Sequence, residues 1–331
     1  MRHKIPCQLS KSNQVVLDGD LSVQRSLPLL KTKPVRLATT VGLEEAIDII
    51  ASHCLMQVRG NEIGVMQGSD PEHVHQMRVG LRRLRLALEL FSEIFPSGMA
   101  LQEDLAWIAA ELGATRNWEV LAFDTLISIS KAFPEELDGL MRAACSIAEK
   151  QRRHTAIMVG SARYAHLMRK LDEWIQGVRS ANAKDGGRSK NTDHLSGSSV
   201  RKLYSHVFER YRRKLLQRGE ALGDGDSFAM HHVRITAKKL RYTAEFFQSL
   251  PAVRNAPALA EALNALLSTF GGFHDISCAD TLLQQLAKRH PLAANGAHFA
   301  RGYLASKSEE NSKNVNRVWQ RFCLDSALKK R

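Results

Sequence analysis

His75-Gln-Met-Arg78-Val-Gly-Leu-Arg82-Arg83-Leu-Arg85 is written again, 156 residues further on, as His231-His-Val-Arg234-Ile-Thr-Ala-Lys238-Lys239-Leu-Arg241. At 100° per residue, His75, Arg78, Arg82 and Arg85 fall within an arc of about 80° on a helix, while Met77, Leu81, Leu84 and Leu88 gather on the opposite side. The second copy repeats this geometry, with His231, Arg234, Lys238 and Arg241 on the charged arc and Val233, Ala237, Leu240, Ala244 and Phe247 on the apolar one. Each copy is half core and half cation. Two such faces in one chain point to a single extended polyanion held between two related halves. Arg83 and Lys239 lie off their arcs by about 80° and are weaker candidates, flanking or salt-bridged.

Outward from these segments the helical pattern begins at Gly42 and persists. Helices are predicted at about 43–67, 71–95, 98–113, 116–131, 135–158 and 162–179, then at about 200–221, 227–249, 257–271, 275–289 and 296–326. Asp70-Pro71-Glu72 is a start signal, with Asp as N-cap, Pro at the first helical position and an acid in the first turn. The polar, glycine-rich stretch Ser180 to Ser199 reads as a linker. Pro6, Pro28 and Pro34 punctuate the first 40 residues, which have no clear period. The predicted organisation is therefore an arm over 1–41, a helical bundle over 42–179, a flexible linker over 180–199 and a second bundle over 200–327.

A second motif also occurs twice: Leu112-Gly113-Ala-Thr-Arg116-Asn117-Trp-Glu-Val120 and Phe270-Gly271-Gly-Phe-His274-Asp275-Ile-Ser-Cys278. Its offset is 158 rather than 156. The glycines read as turns between helices, which would put Arg116 and His274 at helix N-termini, where free N–H groups favour anions. A repeat of this length predicts an all-α protein of two similar bundles.

The net charge of +13 and a pI near 9.7 favour an anionic partner, such as nucleic acid, an anionic membrane surface or a phosphate polymer. Net charge alone is equally a device for solubility, so its placement on helix faces is the stronger evidence. No apolar stretch approaches the roughly 20 residues that span a bilayer, and the N-terminus has no apolar signal region. A cytoplasmic protein without a membrane partner is expected. The five scattered cysteines lack metal or disulfide spacing and read as reduced thiols.

At the paired His-x-x-Arg-x-x-x-basic-basic-x-Arg segments the sequence resembles the CHAD family, the conserved histidine α-helical domain. The resemblance covers roughly residues 42–325 and includes the Gly-x-x-basic-Asp segment that follows each copy. It implies two four-helix bundles related by pseudo-twofold symmetry around a basic central channel that binds inorganic polyphosphate. Members occur at polyphosphate granules or fused to a triphosphate-tunnel domain, and the 40 residues preceding the helices are too few to supply such a domain. Asn117 stands where the family usually has Asp, whereas Asp275 is retained. An Asp there could orient a channel cation by a charge-assisted bond, and Asn would do so more weakly.

A polyphosphate binder needs cations along a line and no groups that read bases. Residues 75 to 85 set four cationic or protonatable groups along about 15 Å of helix. The planar fork of Arg donates two parallel bonds to phosphate, and Lys supplies a point charge. A charge run on one helix usually means only a solvated face, and the second copy is what shifts the reading to a site. A lone His is more often packed or capped than functional, and repetition again raises His75 and His231. Neither His73/His75 nor His231/His232 has the i,i+4 spacing of a helical metal pair, so no metal site is expected. Arg59, Arg152, Arg153, Arg163, Arg210 and Lys214 could line the channel or the surface.

No P-loop, H-E-x-x-H, G-x-S-x-G or repeated acidic cluster is present. The expectation is a non-enzymatic polyphosphate-binding protein without a cofactor, cytoplasmic and at granules. The candidate site is His75, Arg78, Arg82, Arg83, Arg85 and Arg116 facing His231, Arg234, Lys238, Lys239, Arg241 and His274. One alternative is a nucleic-acid-binding helical protein, which the absence of aromatics interleaved in the basic arcs disfavours. Another is an accessory scaffold for a polyphosphate-metabolising enzyme.

Overall fold

A computed structural model describes residues 27–68, 70–185, 193–222, 227–251 and 256–325. Among these the regular elements are helices. They are α1 Leu43–Arg59, α2 Glu62–Gln67, α3 Pro71–Leu90, α4 Gln102–Glu119, α5 Leu126–Ser130, α6 Pro134–Val159 and α7 Ala162–Asp185, then α8 Asp193–Glu220, α9 Ser227–Phe247, α10 Ala256–Arg289 and α11 Pro291–Asp325. A 3₁₀ turn over Pro96–Leu101 leads into α4, and a π-helical segment over Val120–Thr125 joins α4 to α5.

The apolar arcs read from the sequence form the core. Met77, Leu81, Leu84 and Leu88 on α3, and Val233, Ala237, Leu240, Ala244 and Phe247 on α9, are all buried. Each such side chain removed from water contributes about 1.5–3 kcal/mol, which outweighs the modest helix propensities of the β-branched and aromatic members. The start of α3 is capped as its sequence indicated, the Glu72 N–H donating to Asp70 Oδ1 at 2.8 Å with Pro71 at the first position.

The predicted turns at Gly113 and at Gly271-Gly272 do not exist. The chain stays helical from Gln102 through Ser130 and from Ala256 through Arg289. Glycine in a helix interior costs about 1 kcal/mol, and the flanking Leu112, Trp118, Leu266 and Phe270, all buried, offset that cost. In contrast, the predicted helix over 43–67 is broken at Gly60-Asn61. There the buried Asn61 amide donates to the carbonyls of Leu30 and Gln57, and its oxygen meets His73 Nδ1 at 3.0 Å.

The linker expected over 180–199 is shorter than its composition suggested. Helix α7 continues to Asp185 and α8 begins at Asp193, because Ser, Asn and Lys are only weakly unfavourable to a helix already under way. Residues 186–192 lie outside the described ones. Of the arm, residues 1–26 also lie outside, while Val35, Leu37 and Val41 are buried in the core and the Leu37 N–H donates to Ser249 Oγ at 2.8 Å. Cys54, Cys278 and Cys323 are free thiols, whereas Cys145 is disulfide-bonded, contrary to the expectation that all the thiols are reduced.

Two apolar cores result. One unites α1, α3, α7, α8 and α9 with the first part of α10 and the end of α11; the other unites the π segment, α5 and α6 with the rest of α10 and the start of α11. Helices α6 and α11 meet at paired glycines. A Cβ on Gly139 would lie 2.8 Å from the Leu292 carbonyl oxygen, and one on Gly296 would lie 2.8 Å from that of Glu136. These close contacts join the first half of the sequence to the second. Between them, α3 and α9 present their basic arcs to the middles of α4 and α10.

Candidate functional site

Helices α3, α4, α9 and α10 enclose a cavity of about 240 Å³. From α3 it takes His75, Arg78 and Arg82, from α9 Arg234 and Lys238, from α4 Arg116 and from α10 His274. The two copies of the basic motif thus face one space, although they are far apart in sequence. Arg116 and His274 enter from helix interiors, so the free N–H groups expected beside them are spent within the helices. The π segment adds Val120 and Leu121 to the lining, and such irregular turns are common beside functional sites.

Among the described residues that line it, five are Arg or Lys and Asp275 is the one carboxylate. The imbalance shows in their titration. Burial, then Arg82, Arg234 and Arg78, pushes the Lys238 ammonium down to about 6. Burial, then Arg82 and Arg234, lowers Arg78 to about 10, and Arg234 is lowered in the same direction. His274 is held at about 3 by burial and then by Arg234, and burial foremost also lowers His75. Arg234 Nε is buried without a hydrogen-bond partner among the described residues. These are crowded, under-satisfied donors in a partly desolvated space, the electrostatic complement of an anion with several oxygens.

Asp275 is itself raised by burial, while Arg234, Lys238 and Arg116 pull it down. Asn117 takes the matching place on α4, so the first copy contributes no balancing charge there. Arg116 is partly engaged at 3.9 Å by Glu119 and at 3.6 Å by Asp124. Burial pushes the Glu119 carboxyl up to about 7 despite Arg152, whose Nε donates to it at 3.2 Å.

Five sequence candidates fall outside the cavity. Arg83 is buried, pairs with Glu245 at 2.6 Å and lies over the Phe246 ring at 5.0 Å. Lys239 pairs with Glu89 at 2.6 Å, and Glu89 also accepts from Tyr211. The off-arc angle turns both cations toward the partner helix, so they cannot reach a ligand in the cavity. Each copy's cation grips the other copy's acid, and Glu89 and Glu245 are again 156 residues apart. Arg85 donates to Gln102 at 3.1 Å, and Arg241 donates to Asn264 at 3.0 Å and pairs with Glu245 at 3.6 Å. Both sit a helical turn beyond the cavity lining. His231 lines an adjoining cleft, with its ring centroid 5.5 Å from that of His274.

Of the other basic residues weighed, Arg59 pairs with Asp172 and Arg163 with Asp104, both away from the cavity. His73 is buried against Asn61 and points away from His75's cavity. Among the described residues no group of three or more His, Cys, Asp or Glu is arranged to hold a metal. Nor is any described helix long and apolar enough to cross a membrane. Leu267, Cys278 and Ala279 also line it; Cys278 ends the second repeated motif, whereas Leu267 and Ala279 lie just outside that motif and carried no sequence signal.

The sequence matches the CHAD domain family over residues 49–284, and the chain belongs to that family. Among solved structures, the CHAD domain from the plant Ricinus communis superposes with a TM-score of 0.77 and 32% identity, covering 89% of this chain and 97% of that one. PptA from Streptomyces chartreusis shares the fold, with a TM-score of 0.58 and 17% identity over 86% of this chain and 98% of its own. The uncharacterized protein MT2285 of Mycobacterium tuberculosis (strain CDC 1551 / Oshkosh) is 27% identical over 237 residues. That match takes in 68% of this chain and 41% of the relative, so the chain spans well under half of that protein's length.

Proposed function

We propose that the cavity between α3, α4, α9 and α10 binds inorganic polyphosphate and does not transform it. The observation that carries this reading is the convergence of Arg78, Arg82, Arg234 and Lys238 from both motifs on one space. A polymer of phosphates satisfies donors on both walls at once, and released counterions add to its affinity. Among the described lining residues a single carboxylate, Asp275, offers poor means of holding the divalent ions that phosphoryl transfer commonly uses. The reading places the protein in the cytoplasm, at polyphosphate granules, where it could serve a polyphosphate-metabolising enzyme as a scaffold.

The test is binding of long-chain polyphosphate, duplex DNA and single-stranded DNA at one salt concentration, for the native protein and for Arg82→Ala/Lys238→Ala, with phosphate release followed in parallel. Polyphosphate preference, weakened about a hundredfold or more by the double substitution, supports the reading, taking about 1.5–3 kcal/mol for each charged hydrogen bond lost. Equal binding of all three polymers, unchanged by the substitutions, contradicts it. Release of phosphate by the native protein would overturn its non-enzymatic part.

A further inference from the structure

A second cleft of about 410 Å³ adjoins the cavity, and the two share Asn117, His274 and Cys278 as common wall. The cleft's character is different. Phe228, Met230, Phe270 and Phe273 line it together with His231, and among the described residues neither Arg, Lys, Asp nor Glu does. Phe228 is 72% exposed, a large aromatic face offered to solvent, steadied by an edge contact to His232 at a centroid distance of 4.3 Å. Around the rim stand the Asn117 amide and the hydroxyls of Ser277 and Thr281.

The corresponding corner of the first copy is built otherwise. Glu72, Glu119 and Asp124 occupy there the registers of Phe228, Ser277 and Leu282. Two of them, Glu119 and Asp124, approach Arg116 at 3.9 and 3.6 Å and partly balance its charge. The site is therefore asymmetric: phosphate-seeking cations line the cavity, and an aromatic cleft with no charged Arg, Lys, Asp or Glu among its described residues adjoins it. A bare phosphate chain has no flat ring to lay against the cleft's aromatic wall. A chain that ends in a flat heterocycle gains stacking on Phe228 and His231 and hydrogen bonds at the rim.

We propose that the site takes nucleoside polyphosphates, with the phosphates among Arg78, Arg82, Arg234 and Lys238 and the base in the Phe228 cleft. The proposal rests on the reading that the cavity holds a phosphate chain, and it adds a ligand class to that reading. The cleft's volume lies in the range of small-molecule sites, which favours a nucleoside over a protein segment.

The experiment is calorimetric titration with adenosine 5′-tetraphosphate and with inorganic tetraphosphate at equal salt, for the native protein and for Phe228→Ala. The nucleotide carries less charge, so any preference for it comes from the base. The expected result is that the nucleotide binds about tenfold more tightly, from one stacked base. Phe228→Ala should abolish the difference and leave inorganic tetraphosphate affinity unchanged, and because Phe228 is exposed its loss does not threaten folding. Equal affinity for the two ligands, or a preference that survives Phe228→Ala, overturns this proposal and leaves the phosphate-chain reading standing. Failure of both ligands to bind overturns the reading beneath it.

Discussion

Burial and the neighbouring Arg82 and Arg234 push Lys238 down to about 6, so at pH 7.5 most of the free protein carries it neutral. The unfolded chain holds the same proton up to about 10.5, the ordinary value. Between those two pH values the unfolded state binds more protons, so this group makes the free protein more stable as pH rises through the window. A bound polyanion acts in the opposite sense. It raises Lys238, and with it His75, His231 and His274, which are all lowered in the free site. Binding should therefore take up protons near neutral pH, and affinity should fall as pH rises. Calorimetry in two buffers of different ionisation heat measures this directly: net uptake at pH 7.5 that shrinks in Lys238→Met is expected, and no uptake contradicts the arrangement.

The other basic doublet members make a different prediction. Removing the buried Arg83 leaves Glu245, a quarter exposed, with only its longer 3.6 Å pair to Arg241, so Arg83→Ala should cost about 1–3 kcal/mol of stability, measurable by urea denaturation. Arg83→Met with Glu245→Leu should recover much of the loss. The arcs that place Arg78, Arg82, Arg234 and Lys238 were legible, because helical period alone sorts cations from core. The ion pairs of Arg83 and Lys239 were only half legible. Their angle excluded them from the arc, but which acid they meet depends on how α3 crosses α9, and no spacing within one helix encodes that crossing.

At the scale of the elements, glycine misled in both directions. Gly272 suggested a turn, yet α10 runs through it, and a Cβ there would meet nothing within 4 Å. Gly272→Ala should therefore stabilise the protein by about 0.5–1 kcal/mol, through helix propensity alone. Gly139 gave no sequence signal, yet it lies where α6 presses on the start of α11. Gly139→Ala should destabilise by about 1–3 kcal/mol from overpacking, and thermal denaturation of the two variants should give shifts of opposite sign. Propensity describes a helix by itself; the fate of a glycine is decided by what lies across from it. The break at Gly60-Asn61 shows the converse, since Asn61 is satisfied by Leu30 in the arm, a residue that local pattern could not bring near.

In the whole molecule, the all-α class and the internal repeat were visible in the sequence, and so were seven of the residues that line the cavity. What the sequence left out is the asymmetry of the site. The repeat made its halves look equivalent, whereas Glu119 and Asp124 engage Arg116 in the first and Phe228 and Phe273 shape a cleft in the second. Nor did it foretell that the apolar cores would join both halves, through α9 with α3 and through α11 with α6. The joining of the halves arises from contacts between positions more than 100 residues apart, where periodicity carries no information. The central claim is that binding depends on the facing cations and not on net charge. The most direct test is the salt dependence of long-chain polyphosphate affinity for the native protein, Arg78→Ala and Arg59→Ala, two variants of equal net charge. Arg78→Ala is expected to weaken binding and to lower the log–log salt slope by about one, with Arg59→Ala close to native. Equal loss in both variants would show that charge acts from anywhere on the surface, and the cavity would not be the site.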